Sequence, residues 1–183
     1  PSDLRAAGLE RVDLVERFPV LTGQYGYSRG DHEPGVTRLR AFTGNDGGYV
    51  VYGDVAATEA LLFRLRPTDV ARWLRRRGAK IDKSASERDS YEKILCSMGP
   101  DPETCPIFGA VTRLIHSYSH RMVRQSSFYA GIDRRALSEL LFPACLSFVT
   151  FAAPRGDFVL GGLQAMFEFD LHTVLDRVVF DES

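Results

Sequence analysis

From Leu9 to Arg66 the apolar residues alternate with polar ones in short runs separated by turn-forming residues, which predicts extended chain rather than helix. Val12, Leu14, Val15, Phe18, Val20 and Leu21, then Tyr25 and Tyr27, suit strand; Pro19 suggests a break, and an initial helical turn is compatible with the first residues. Gly30–Gly35 is rich in turn residues. Thr37–Thr43 alternates cleanly, as a half-buried strand does. Asn45-Asp46-Gly47-Gly48 tolerates positive φ and predicts a hairpin, with Tyr49–Val55 returning as the partner strand. Glu59–Arg66 then extends the sheet after a short break.

Beyond Pro67 the spacing changes to three and four. Pro67 and Asp69 suit a first helical turn, Val70, Trp73 and Leu74 form its apolar stripe, and Gly78 ends it. Ser86 is placed to cap a helix reaching about Cys96, while Met98–Pro106, with three prolines, is irregular. The clearest helix runs from about Pro106 to Ser127. Ile107, Val111, Leu114, Ile115, Tyr118 and Met122 share one stripe; Arg113, His116, Ser117, His120 and Arg124 fall on the other side. Gly131 is its left-handed stop, and Asp133 is expected to cap a short helix through about Phe142. Ala144–Ala153 is nearly continuous apolar sequence, as expected of a central strand covered on both faces. Pro154–Asp157 reads as a turn, and Leu163–Phe180 as helix with a break near Asp170.

These elements make an α+β fold: an antiparallel, hairpin-containing N-terminal half and a mainly helical C-terminal half with one buried strand. A division into 1–83 and 84–183, or one continuous domain, is expected. A chain of 183 residues, 44% hydrophobic, suffices for one sizeable core. Its net charge of −1 predicts no partner, but charge is unevenly distributed: Arg64–Lys83 holds eight basic and two acidic residues, and Asp157–Glu182 six acidic and one basic. Three cysteines without a CxxC spacing argue against a disulfide framework and fit a reducing cytoplasm; Cys145, in an apolar run, is expected to be a buried thiol. No apolar run approaches the ~20 residues of a membrane helix. Beginning with proline rather than methionine, the chain reads as a piece of something longer.

Two groups of side chains carry possible chemistry. His116 and His120, four apart on one helical face, can offer two imidazoles to one ion. The position where HExxH would carry its glutamate is Ser117, so hydrogen bonding to neighbouring elements is the favoured reading and no metal ligand is assigned. Arg72, Arg75, Arg76 and Arg77, with Lys80 and Lys83, can follow a phosphate backbone, as can Arg121 and Arg124; a solvated helical face is the commoner explanation. Trp73 belongs to the apolar stripe rather than to a base-stacking platform. The Gly156–Gly162 stretch lacks the lysine and hydroxyl of a P-loop and the spacing of GxGxxG, which leaves tight packing as its role. Asp157, Glu168 and Asp170 form an acidic group expected at the surface, and no nucleophile elbow surrounds any serine.

The ordered set Leu-x-His-x-x-Ser-His with Arg-Gln, Ala-Gly followed by Leu-x-Glu, an apolar strand, and Arg-Gly-Asp-Phe-x-Leu-Gly-Gly-Leu resembles one domain family. That family forms the C-terminal part of DrmB, the helicase-partner subunit of DISARM anti-phage systems, and is similar to the zinc-binding domain of MrfA-type DNA-repair helicases. The overlap runs from Leu114 to Phe180, with a looser likeness over Glu59–Trp73. The resemblance implies a non-catalytic, cytoplasmic accessory domain that holds a helicase partner, faces DNA and leaves ATP hydrolysis to that partner. Its metal-binding cysteines would lie beyond Ser183, so the resemblance implies no cofactor on Cys96, Cys105 or Cys145. The rival readings are a metal-assisted phosphodiesterase built on His116, His120 and a remote carboxylate around an open cavity, and a protein-interaction module docking on an acidic partner.

Overall fold

A computed structural model describes residues 2–30, 37–99, 104–153 and 161–180. The fold is α+β. It begins with a short helix α1 (Ser2–Ala6), followed by strands β1 (Leu9–Gln24), β2 (Gly26–Gly30), β3 (Thr37–Ala41) and β4 (Tyr52–Leu65). Helices α2 (Pro67–Arg76), α3 (Glu87–Ser97) and α4 (Pro106–Ala130) come next. Strands β5 (Leu137–Phe142) and β6 (Ser147–Ala152) follow. The last helical run is α5 (Gly162–Ala165), a π turn over Met166–Asp170, and α6 (Leu171–Phe180).

The chain forms two compact units, Pro1–Phe18 with Thr58–Ser183, and Pro19–Ala57. Lys83 and Ser84, where sequence suggested a division, both fall inside the first unit.

A four-stranded sheet has the order β1-β4-β6-β5, with β6 antiparallel to both neighbours. All six β6 residues are buried, as its nearly continuous apolar run requires of a central strand. Register puts Phe63 opposite Phe148 and Leu141 beside the same residue, so all three share one face. That face receives α4: the Tyr118 ring lies 5.8 Å from the Phe148 ring, and Phe63 and Phe148 stack with centroids 4.8 Å apart. Val111, Ile115 and Met122 of α4 are fully buried, so the apolar stripe read from the sequence is the buried one, and Gly131 ends the helix at φ 65°. Gly162 allows close packing, because a Cβ there would sit 2.9 Å from the Ala130 carbonyl oxygen at the end of α4.

Helix α2 starts without a capping side chain of its own. Glu87, the first residue of α3, supplies the acceptor instead. It takes bonds from the Thr68 amide (2.9 Å), the Thr68 hydroxyl (2.9 Å) and the Arg66 guanidinium (2.7 Å). Partial burial raises the pKa of Glu87, but the accepted bonds outweigh it and hold the carboxyl below its ordinary value. Ser86 caps α3 by accepting from the Asp89 amide, as its position predicts.

In the second unit, β2 pairs antiparallel with β3, Gly26 opposite Ala41. The Asn45–Gly48 turn forms, with Gly47 at φ 79° and Asp46 accepting from the Gly48 amide. What it closes is only a bridge from Thr43 to Tyr49, so the ladder partner of β3 is β2 and not Tyr49–Val55. Tyr25, Tyr27, Leu39, Tyr49 and Tyr52 remain exposed.

Other expectations are corrected. Pro19 does not interrupt β1, an edge strand, where a missing N–H is tolerated; the break comes at Tyr25. Asp133 caps only a 3-10 turn, Arg134–Ala136, after which Leu137–Phe142 is strand rather than helix. Pairing along β6 outweighs the local preference of Leu-Ser-Glu-Leu-Leu-Phe, and the later half therefore has two strands, not one. Cys145 is exposed rather than buried, because Pro143–Cys145 forms a 3-10 turn ahead of β6. The loop Gly30–Gly35 beyond its first residue, the Pro154–Asp157 turn, Asp157 and most of Gly156–Gly162 lie outside the described residues. Among the described residues no helix is long and apolar enough to cross a membrane.

Candidate metal centre

The outer flank of α4 and the middle of β5 bring three ligating side chains together. His116 and His120 stand one helical turn apart, both half exposed, with rings tilted at 47° and centroids 4.4 Å apart. Their Nε2 atoms are 2.7 Å apart. Glu139 pairs in register with Thr150 of β6, which puts its side chain on the same sheet face as Phe148 and Ala152, the face α4 covers. Its Oε1 lies 3.3 Å from His116 Nε2 and 3.8 Å from His120 Nε2. One ligand atom from each residue thus falls within 4.8 Å of the others.

The remaining carboxylate oxygen is also occupied. Ser119, fully buried on α4 between the histidines, places its hydroxyl 2.5 Å from Glu139 Oε2 and 2.9 Å from the His116 carbonyl oxygen. One oxygen of Glu139 is therefore fixed to the helix while the other points at the imidazoles. A cavity of about 370 Å³ opens beside them, lined by His120, Val123, Arg134, Leu137, Ser138 and Glu139. A larger cleft of about 650 Å³ lies elsewhere, against Leu62, Tyr91, Phe142 and Cys145. Its carboxylates are Glu87, already committed to α2, and the exposed Glu10, and no metal-ligating group of three forms there among the described residues.

Sequence placed the two histidines on one face, and the structure keeps them there. Glu139 was the missed partner. An acid inside a mostly apolar six-residue run is the signal that would have found it, once that run is read as strand: alternation then turns Glu139 to the same side as Leu137 and Leu141.

The arginines separate. Arg72 and Arg76 are exposed on α2, as are Arg77, Lys80 and Lys83 beyond it. Arg72 pairs with Asp69 at 2.9 Å, and the Arg77 guanidinium lies 4.7 Å from the centre of the half-buried Trp73 ring. Arg75 is half-buried, with Nη1 sealed from solvent. Arg121 and Arg124 are half-buried and already have partners within the chain. Glu168 accepts from the Gln164 side-chain amide, one turn away on the last helical run.

No family model, curated protein or solved structure matches this chain.

Proposed function

We propose that this chain is a non-catalytic accessory domain of a helicase-centred defence or repair assembly, holding the translocating partner and lending it a cationic, DNA-facing surface. The translocase context rests on the likeness of the Leu114–Phe180 segment to helicase-associated domains. The observation that carries the DNA-facing part is the exposed set Arg72, Arg76, Arg77, Lys80 and Lys83 at and beyond the C-terminal end of α2. Among the described residues Arg72 alone of these pairs with an acidic side chain, and a pair of that kind exchanges readily for phosphate. Each cation seated on a phosphate releases a counterion, giving sequence-independent, salt-sensitive affinity.

The test is a fluorescence-anisotropy titration of duplex and single-stranded DNA over a range of salt. It compares the wild type with an Arg72→Ala/Arg76→Ala/Arg77→Ala variant. The slope of log affinity against log salt falls by about 2–3 in the variant on duplex, at roughly 0.9 per phosphate contact. Equal slopes would end the phosphate role of α2 and favour docking on an acidic protein.

The convergence of His116, His120 and Glu139 beside an open cavity favours a second reading, a metal-assisted phosphodiesterase. Such an enzyme needs a base in addition to its ligands. With Glu139 spent as a ligand, the cavity wall offers no second carboxylate among the described residues. The accessory reading is therefore preferred.

A further inference from the structure

We propose that His116, His120 and Glu139 form a binding site for one divalent transition-metal ion of the zinc type, with its fourth position open to the adjoining cavity. The proposal is independent of any contact between α2 and nucleic acid.

Distances support it first. A tetrahedral ion with bonds of about 2.0–2.1 Å separates its ligand atoms by roughly 3.3–3.4 Å. The three separations, 2.7, 3.3 and 3.8 Å, scatter around that edge, so shifts within rotamer freedom would make them equal. The donor set is second. Two imidazoles and one carboxylate suit zinc and its neighbours, whereas calcium and magnesium prefer all-oxygen shells.

Support around the ligands is third. Both histidines project from a 25-residue helix whose opposite side is buried, and Glu139 is fixed by the register of β5 on β6. Ser119 holds the far carboxylate oxygen, the arrangement by which an outer hydrogen bond orients a metal ligand. Access is fourth, because the histidines are half exposed and an ion reaches them without opening the core. Arg134, exposed in the cavity wall, gives the open position a positive neighbour, so a small anion is the natural fourth ligand.

The competing description uses the same atoms. One imidazole N–H donates to the other ring at 2.7 Å, with Glu139 Oε1 standing 3.3 Å from the same His116 nitrogen, so a proton takes the place of the ion. Metal titration separates the two. Chelator-stripped full chain is titrated with Zn²⁺ by calorimetry and with Co²⁺ by visible absorption, followed by thermal melting with and without metal.

One ion per chain is expected, with a tetrahedral cobalt spectrum lacking thiolate charge transfer and a rise in Tm on loading. His116→Ala and His120→Ala, both at exposed positions that leave the core untouched, each weaken binding at least about 100-fold, and Ser119→Ala weakens it about 10–100-fold. Circular dichroism of the metal-free variants checks that they fold. Failure to bind one equivalent overturns the site. So does binding that survives in the His116→Ala/His120→Ala double variant, which would belong to Cys96, Cys105 or Cys145.

Discussion

Replacing Glu87 tests how α2 and α3 are joined. Pro67 has no N–H, and Arg66 provides no side-chain cap, so the first free donor of α2 is the Thr68 amide, which only Glu87 satisfies. Glu87→Ala removes that cap, costing about 1 kcal/mol, and also the charge-assisted bond to Arg66, at about 1.5–3 kcal/mol. A third of the Glu87 side chain is exposed, so water takes back part of this, leaving a net loss of about 2–3 kcal/mol. For a chain of this size that lowers Tm by about 4–12 °C. Glu87→Gln keeps an acceptor for Thr68 but loses the charge beside Arg66, at about 1 kcal/mol.

The pH dependence fixes the sign. The folded-state pKa of Glu87 lies below its ordinary 4.5, so the carboxylate's contribution is full above that value. It disappears as pH falls through the lowered folded pKa. Urea unfolding followed by circular dichroism should show the wild-type advantage over Glu87→Gln at neutral pH and its shrinkage in acid. A Glu87→Ala loss under about 0.5 kcal/mol would refute the capping role. An advantage over Glu87→Gln that widens as pH falls would refute the electrostatic part.

Phe63→Ala should cost about 3–5 kcal/mol in chemical denaturation, since the ring is fully buried and stacked on Phe148; a loss below about 1 kcal/mol would mean that this pair is not central to the core. Gly131→Ala should cost about 1–2 kcal/mol from backbone conformation alone, because its φ is 65° and a Cβ there meets nothing within 4 Å; an unchanged melting curve would argue that α4 ends differently.

Helices α2, α3 and α4 were legible because their signals are local: Pro67, the Ser86 cap, the apolar stripe of α4 and the Gly131 stop each act within a turn or two. The central position of β6 was legible for a similar reason, its apolar run leaving no face for water. Strand pairing was less so. Nothing within Thr37–Ala41 specifies Gly26–Gly30 over Tyr49–Val55, because pairing is decided jointly with the partner strand. Leu137–Phe142 was misread for the same reason, and with it went the third member of the candidate centre. His116 and His120 show their relation at i, i+4, while Glu139 joins them only once β5 is zipped to β6.

The π turn at Met166–Asp170 has a consequence for how the last helical run was built. Counted at about 100° per residue, buried Leu163 and Met166 point roughly 100° away from buried Val174, Leu175 and Val178, so one straight α-helix would leave the two oily seams out of phase. The π turn spends one extra residue and sets the later seam back by about that angle, bringing both into line. The run thus has one residue to spare: shortening Met166–Asp170 by one would restore ordinary winding with both seams facing the same way, whereas lengthening it would twist them apart.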